Sequence, residues 1–227
     1  MSLDLTAARA TILSAADDTA SLISEACQRC EGIDSPLSRH LGVVDGKGRL
    51  RGYGDIWPEA APKYVHRAQF YVDRLAPYLP HVANCGGHLL EIGTGAGYLA
   101  YMLRAAYGTR VDGLDLDRPE DLVYREMRRA LDVPVTAGRI VTGEDFDIPV
   151  GCTGVVAFWT MFNRAWGVAD HERFLDHCAS HLVGERRVCI RFNDTGFRDR
   201  PDVQALYARL GRHPLADDRN FVIVDVC

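Results

Sequence analysis

The chain has 227 residues, enough for one main domain that buries its own core without disulfides or metal. Its 47% hydrophobic and 25% charged content is that of an ordinary globular protein and excludes a disordered chain. A formal net charge of −5 supplies no basic field for phosphate backbones or anionic lipid, so small-molecule partners are expected, with no nucleic acid and no membrane.

Residues 5 to 30 carry Leu5, Ala8, Ile12, Ala16, Leu22 or Ile23, Ala26 and Cys30 at roughly helical spacing, which predicts an amphipathic helix ended by Gly32 and Pro36. The stretch from 32 to 60 is rich in turn residues, and VVDGKGRL reads as a hairpin around Asp45-Gly46. A second helix is expected over 61 to 79, with Val65, Ala68, Phe70, Val72 and Leu75 inward and Pro80 as its stop.

From Leu89 onward strands and helices alternate. Strands are predicted at Leu89 to Ile92, Arg110 to Leu116, Arg139 to Thr142, Gly154 to Trp159, Arg187 to Phe192 and Asn220 to Cys227. Arg212 to Ala216 is a weak candidate for a seventh. Helices are expected over Tyr98 to Tyr107, after Pro119 with Leu122, Met127, Ala130 and Leu131 inward, after an Asp170 N-cap, and over Pro201 to Leu210. The continuous apolar run from Gly154 marks the centre of a parallel sheet. This alternation predicts a doubly wound α/β fold, with residues 1–85 as an N-terminal helical extension and 86–227 as the ligand-binding domain.

The stretch EIGTGAG, Glu91 to Gly97, sits between the first of these strands and its helix. Glycine there lets the backbone turn tightly and lets a ligand approach without a Cβ in the way. A dinucleotide fingerprint starting at Gly93 needs its third glycine at 98, where the chain has Tyr98. Glu91 adds a carboxylate that repels a pyrophosphate and attracts an ammonium. Both features count against a nicotinamide or flavin oxidoreductase.

EIGTGAG resembles the first motif of the class I S-adenosylmethionine (SAM) dependent methyltransferases, an acid followed by alternating glycines. The resemblance covers about residues 86 to 227 and implies a Rossmann-like, mostly parallel seven-stranded-type sheet. It also implies SAM as cofactor, with Glu91, Gly93, Thr94, Gly95 and Gly97 around its methionine and ribose portion. Asp115, 22 residues after Gly93, is then the acid at the end of the second strand that takes the ribose hydroxyls, and Leu116 packs on the adenine. Asp117 is assigned to the helix cap before Pro119. After the third strand, VTGEDF offers Glu144 or Asp145 for the adenine amino group, Glu144 being preferred. The family's last strands form a hairpin, and only FVIVDVC is clear here.

On the acceptor side the expectations are weaker. Tyr53 and Trp57, in an extension of the kind that closes such sites, are candidate lining residues, as are Phe162 and Asn163 after the central strand. That stretch, WTMFN, lacks the prolines of enzymes that methylate nucleic-acid bases. No general base stands out; His171, Asn163 and Asn193 are positional candidates near the expected strand ends. A SAM-binding module without a substrate pocket is the non-enzymatic alternative.

Other constellations are read as structural. The CQRC pair Cys27 and Cys30 and the pair His177 and His181 lack the further ligands a metal site needs, so no metal is expected. The REMRRA run from Arg125 is taken as a solvated helix face. Seven dispersed cysteines and an N-terminus without a basic start and apolar run point to free thiols and a cytoplasmic protein.

Overall fold

The computed structural model describes residues 5–30, 43–44, 50–51, 65, 67–116, 122–141, 143–160, 166–193, 197 and 199–227. Seven strands form one sheet in the order β5-β4-β3-β6-β7-β9-β8. They are β3 (His88–Ile92), β4 (Arg110–Asp115), β5 (Val135–Ala137), β6 (Gly154–Phe158), β7 (Arg187–Arg191), β8 (Gly211–Arg212) and β9 (Phe221–Asp225). From β5 to β7 all pairs are parallel, while β9 runs antiparallel to β7 and to β8. The expected terminal hairpin therefore exists, and its outer strand is only two residues long.

Period-two alternation sends successive side chains to opposite faces of this sheet. In β6, Val156 and Phe158 join one buried cluster and Val155 and Ala157 the other, so every position is buried, as the unbroken apolar run requires. The first face is covered by α4 (Tyr98–Tyr107) and α5 (Leu122–Ala130), through Leu99, Met102, Leu103, Met127 and Leu131. The second is covered by α6 (Val168–His181) and α7 (Pro201–Leu210), through Phe174, Leu175, Cys178, Val203, Leu206 and Tyr207.

The N-terminal segment packs on the first face. Helix α1 (Leu5–Cys30) places Ile12, Ala15 and Ala16 in the same cluster as Leu99 and Met127. Strands β1 (Val43–Val44) and β2 (Leu50–Arg51) pair antiparallel on either side of the expected Asp45-Gly46 turn, whose residues lie outside those described. The side chains of Cys27 and Cys30 also lie outside them.

Four sequence expectations are corrected here. The second helix does not stop at Pro80: α2 (Ala68–Leu75) passes through a 3-10 turn (Ala76–Tyr78) into α3 (Leu79–Ala83). Pro77 and Pro80 sit in the first turns of those pieces, where a missing N–H costs nothing. Phe70 points outward at 53% exposure, as does Ala130, because the buried stripes run through Val72 and Leu75 and through Met127 and Leu131. Asp170 caps α6 from its third position, its carboxylate accepting the N–H of Gly167 at 2.8 Å, while Gly167 is the N-cap. The third strand is Val135–Ala137, four residues before its expected start, because Pro134 O and Asp115 O accept from Gly113 and Gly138 and fix the register there.

Candidate functional site

The strand order reverses about β3, with β4 on one side and β6 on the other, and a cavity of about 770 Å³ opens at their carboxyl ends. Crevices at this switch point are where open α/β sheets bind ligands. A volume of this size lies within the range of small-molecule sites.

The floor is the turn from β3 into α4. Gly93, Gly95 and Gly97 have φ of +73°, +56° and +81°, in the left-handed region. At Gly93 a Cβ would stand 2.6 Å from Thr160 Cγ2, so conformation and space both exclude a side chain. The Thr94 hydroxyl donates to the Glu91 carbonyl at 3.1 Å and the Gly93 N–H to the Leu114 carbonyl at 2.7 Å.

Asp115 ends β4 beside this turn. Its Oδ2 accepts the Gly95 N–H at 2.6 Å and its Oδ1 the Leu116 N–H at 2.7 Å. Arg128 reaches the same Oδ2 at 3.4 Å from α5 and is only 6% exposed, so REMRRA is not a wholly solvated face. Arg128 is drawn in because a buried carboxylate edge needs a counter-charge.

Glu91 lies below the loop at 4% exposure. Burial, with the nearby Asp115 charge adding to it, pushes its carboxyl up to about 8, against a donated Ala100 N–H. Its Oε2 is buried with no hydrogen-bond partner.

The opposite wall is built by β6 and α2. Trp159 follows β6 with φ of +51°, a strained value for a bulky residue. Its N–H donates to the Arg191 carbonyl at 2.8 Å, and Asn193 Nδ2 donates to the Trp159 and Thr160 carbonyls at 3.0 and 3.2 Å. The Arg74 guanidinium lies 4.1 Å from the Trp159 ring centroid. Tyr78 packs edge-on against the indole at 6.1 Å and hydrogen-bonds Asp218, which pairs with Arg191 at 2.7 Å. Burial and that hydrogen bond to Asp218 raise the Tyr78 phenol above its ordinary value. The Trp159 indole nitrogen and the Thr160 hydroxyl are buried and unpartnered. Three of the four such atoms among the described residues thus belong to residues that line one cavity.

No protein-family model and no curated protein matches the sequence. Among solved structures, the pyocyanin biosynthetic protein PhzM matches with a TM-score of 0.50 at 14% identity, over 73% of this chain and 59% of that one. The SAM-bound amino pentose methyltransferase CalS10 of Micromonospora echinaspora matches with a TM-score of 0.42 at 22% identity, over 53% and 50%. DesVI of Streptomyces venezuelae gives 0.44 at 17%, over 63% and 58%. The chain therefore spans between 50% and 59% of the length of these three proteins. The fold is the Rossmann-like methyltransferase fold.

Within this methyltransferase fold, Glu91, Gly93, Thr94, Gly95, Asp115 and Leu116 all line the cavity. Gly97 does not; it starts α4 and abuts Val133. Glu144 and Asp145 are exposed and outside the described lining, which follows from the position of β5. With that strand ending at Ala137, Gly138, Arg139, Ile140 and Val141 run past the cavity instead, and Asp145 faces Arg173 and His177 at 3.8 and 3.5 Å. Tyr53, Trp57, Phe162 and Asn163 lie outside the described residues.

Asn193 lines the cavity, whereas His171 is buried behind it with Nδ1 3.1 Å from the Tyr207 hydroxyl. Burial drives His171 down to about 4, so it is a neutral core histidine. His177 Nε2 meets the Phe146 carbonyl at 2.8 Å and His181 Nδ1 the His177 carbonyl at 2.9 Å. Tyr71, Arg74 and Leu75 of α2, with Trp159, Thr160 and Trp166, are lining residues that the sequence reasoning missed. The available signal was that 71, 74 and 75 share one helical face.

Proposed function

We propose that the protein is a SAM-dependent methyltransferase acting on a small-molecule acceptor. The observation that carries this is the coincidence, in one cavity of the methyltransferase fold, of the left-handed glycine turn, the Asp115 carboxylate and the orphaned Glu91 Oε2. A buried polar atom left unpaired costs about 1–3 kcal/mol, which a bound donor removes.

The residues fit the cofactor. A carboxylate has about four acceptor positions, and Gly95, Leu116 and Arg128 occupy three at Asp115, leaving one for a ribose hydroxyl. Glu91 Oε2 accepts from the ammonium of the methionine portion, and Gly93 lets that portion pass close to the backbone. Leu116 and Ile140 offer apolar edges to the adenine. When bound, SAM supplies a methyl group already activated by a sulfonium.

The protein's own task is alignment. Trp159, Thr160 and Phe158 line the same cavity as the residues proposed for the cofactor. Fixed geometry of this kind can contribute about 7–11 kcal/mol to a bimolecular step. Residues 1–85 contribute Tyr71, Arg74 and Leu75 and serve as a cap over the 86–227 domain. The acceptor is a small molecule and not a nucleic acid, given the net charge of −5, and the setting is cytoplasmic. No helix among the described residues is long and apolar enough to cross a membrane.

Thermal melts with SAM, S-adenosylhomocysteine and NADH test this, since a ligand bound only by the native state raises the melting temperature. Both sulfur ligands are expected to stabilise. Stabilisation by NADH alone overturns the proposal in favour of an oxidoreductase.

A further inference from the structure

We propose that Arg128 is a positioning residue for the cofactor's ribose: it fills the second acceptor position of Asp115 Oδ2, so the acid reads one ribose hydroxyl, through Oδ1, and not both. This deepens the methyltransferase reading and rests on it.

Each oxygen of a carboxylate has two acceptor positions. At Asp115 Oδ2 the Gly95 N–H takes one at 2.6 Å and the Arg128 guanidinium the other at 3.4 Å. At Oδ1 the Leu116 N–H takes one at 2.7 Å. The open position is therefore on Oδ1. Asp115 and Leu116 line the cavity, whereas Arg128 lies outside the described lining, so the arginine acts on a ligand through Asp115.

A contact of 3.4 Å is long for a hydrogen bond, and a ribose hydroxyl would displace an arginine that had water to return to. Arg128 has little: its side chain is 7% exposed, and among the described residues Asp115 is its one ion-pair partner. Stripped of that carboxylate it becomes an uncompensated charge out of water, which costs more than one neutral hydrogen bond returns. The guanidinium therefore keeps its place when the ribose arrives.

The glycine turn is shaped around this side chain. Gly97 is outside the described lining, yet a Cβ there would stand 3.4 Å from Arg128 Cγ and 3.2 Å from Val133 Cγ2. The last glycine of the turn thus leaves room for the arginine's stem. The Val133 N–H donates to the Arg128 carbonyl at 2.9 Å and fixes the end of α5 from which that stem departs.

S-Adenosylhomocysteine and its 2′-deoxy and 3′-deoxy analogues, titrated by calorimetry into the wild-type chain, test this. One analogue is expected to bind at least about ten-fold more weakly than the parent, and the other within about three-fold of it. Arg128→Met keeps an unbranched stem beside Gly97 and opens the second position on Oδ2, so the two analogues should then lose affinity alike. A purely structural arginine would weaken all three ligands together and leave the inequality in place. Arg128→Lys, with a cation on the same stem, should retain it. Equal losses in the wild type, or none, overturn the inference with no variant needed, and so does an inequality that survives in Arg128→Met or vanishes in Arg128→Lys. Failure of the wild type to bind S-adenosylhomocysteine itself would instead sink the methyltransferase reading.

Discussion

The Asp115 carboxylate accepts the Gly95 N–H at 2.6 Å, so the acid proposed for the ribose also fixes the glycine turn beside it. Asp115→Ala removes the acceptor of two backbone N–H groups and leaves the nearly buried Arg128 without its carboxylate. A stability loss of about 1–3 kcal/mol is expected in denaturant melts, with at least a ten-fold loss of S-adenosylhomocysteine affinity, roughly 1.4 kcal/mol or more. Asp115→Asn keeps one acceptor oxygen and should lose less stability. Unchanged affinity in the alanine variant would remove Asp115 from the cofactor site.

Gly93→Ala should cost more than Gly108→Ala, although both positions have left-handed backbones, φ +73° and +68°. Around Gly108 there is open space, so only the conformational cost of about 1–2 kcal/mol applies. At Gly93 the new methyl meets Thr160 Cγ2 at 2.6 Å, so the Thr160 side chain or the loop must shift. Gly108→Ala is expected to keep full homocysteine affinity and Gly93→Ala to lose it. Equal affinities would show that close backbone approach at Gly93 is not needed.

Local signals were legible where one physical cause acted alone. Strand patterning and turn residues place β3, β4, β6 and β7 to within a residue or two, and the helices Tyr98–Tyr107 and Pro201–Leu210 at their observed bounds. Where long-range packing decided, sequence was silent. Arg128 reads as solvated until Asp115 draws it inward, and Phe70 reads as core until the stripe through Val72 and Leu75 turns it out. The short β5 has little periodicity, its Thr136 and Ala137 being exposed, so its register is set by neighbouring carbonyls. That shift is why Glu144 lies outside the described cavity lining. The wall after β6 depends on the left-handed turn at Trp159, which no spacing rule announces for a tryptophan.

Glu91 gives the protein a pH dependence with a definite sign. Its folded-state carboxyl titrates near 8 against an ordinary value of 4.5, so between these values the unfolded chain has lost a proton that the native state keeps. Stability from this group is therefore level below about pH 4.5, falls as pH rises through that window, and is lowest above about 8, by a few kcal/mol. Glu91→Gln should abolish the fall, so its melting temperature gains on the wild type as pH is raised from 5 to about 8. A ligand ammonium beside Glu91 favours the ionised form, so cofactor binding at neutral pH should release a proton. Calorimetry in buffers of different ionisation heat reads that release, and an equal release from Glu91→Gln would assign it elsewhere.

Asn193 braces the cavity wall that follows β6. Its amide spans two successive carbonyls, Trp159 O at 3.0 Å and Thr160 O at 3.2 Å, and so holds a bulky left-handed residue on the cavity. Asn193→Ala leaves both carbonyls without that donor at a cost of about 1–3 kcal/mol and frees Trp159 to relax toward ordinary backbone angles. Homocysteine affinity should stay within about two-fold of wild type, because Glu91, Gly93 and Asp115 are untouched, while the tryptophan fluorescence emission shifts as Trp159 moves. Asn193→Asp separates the two roles of the side chain. It preserves shape but replaces the donor with an anion facing two carbonyls, so a positioning role predicts that it fails as badly as alanine. A wild-type tryptophan emission in the aspartate variant would show that Asn193 acts only by filling space.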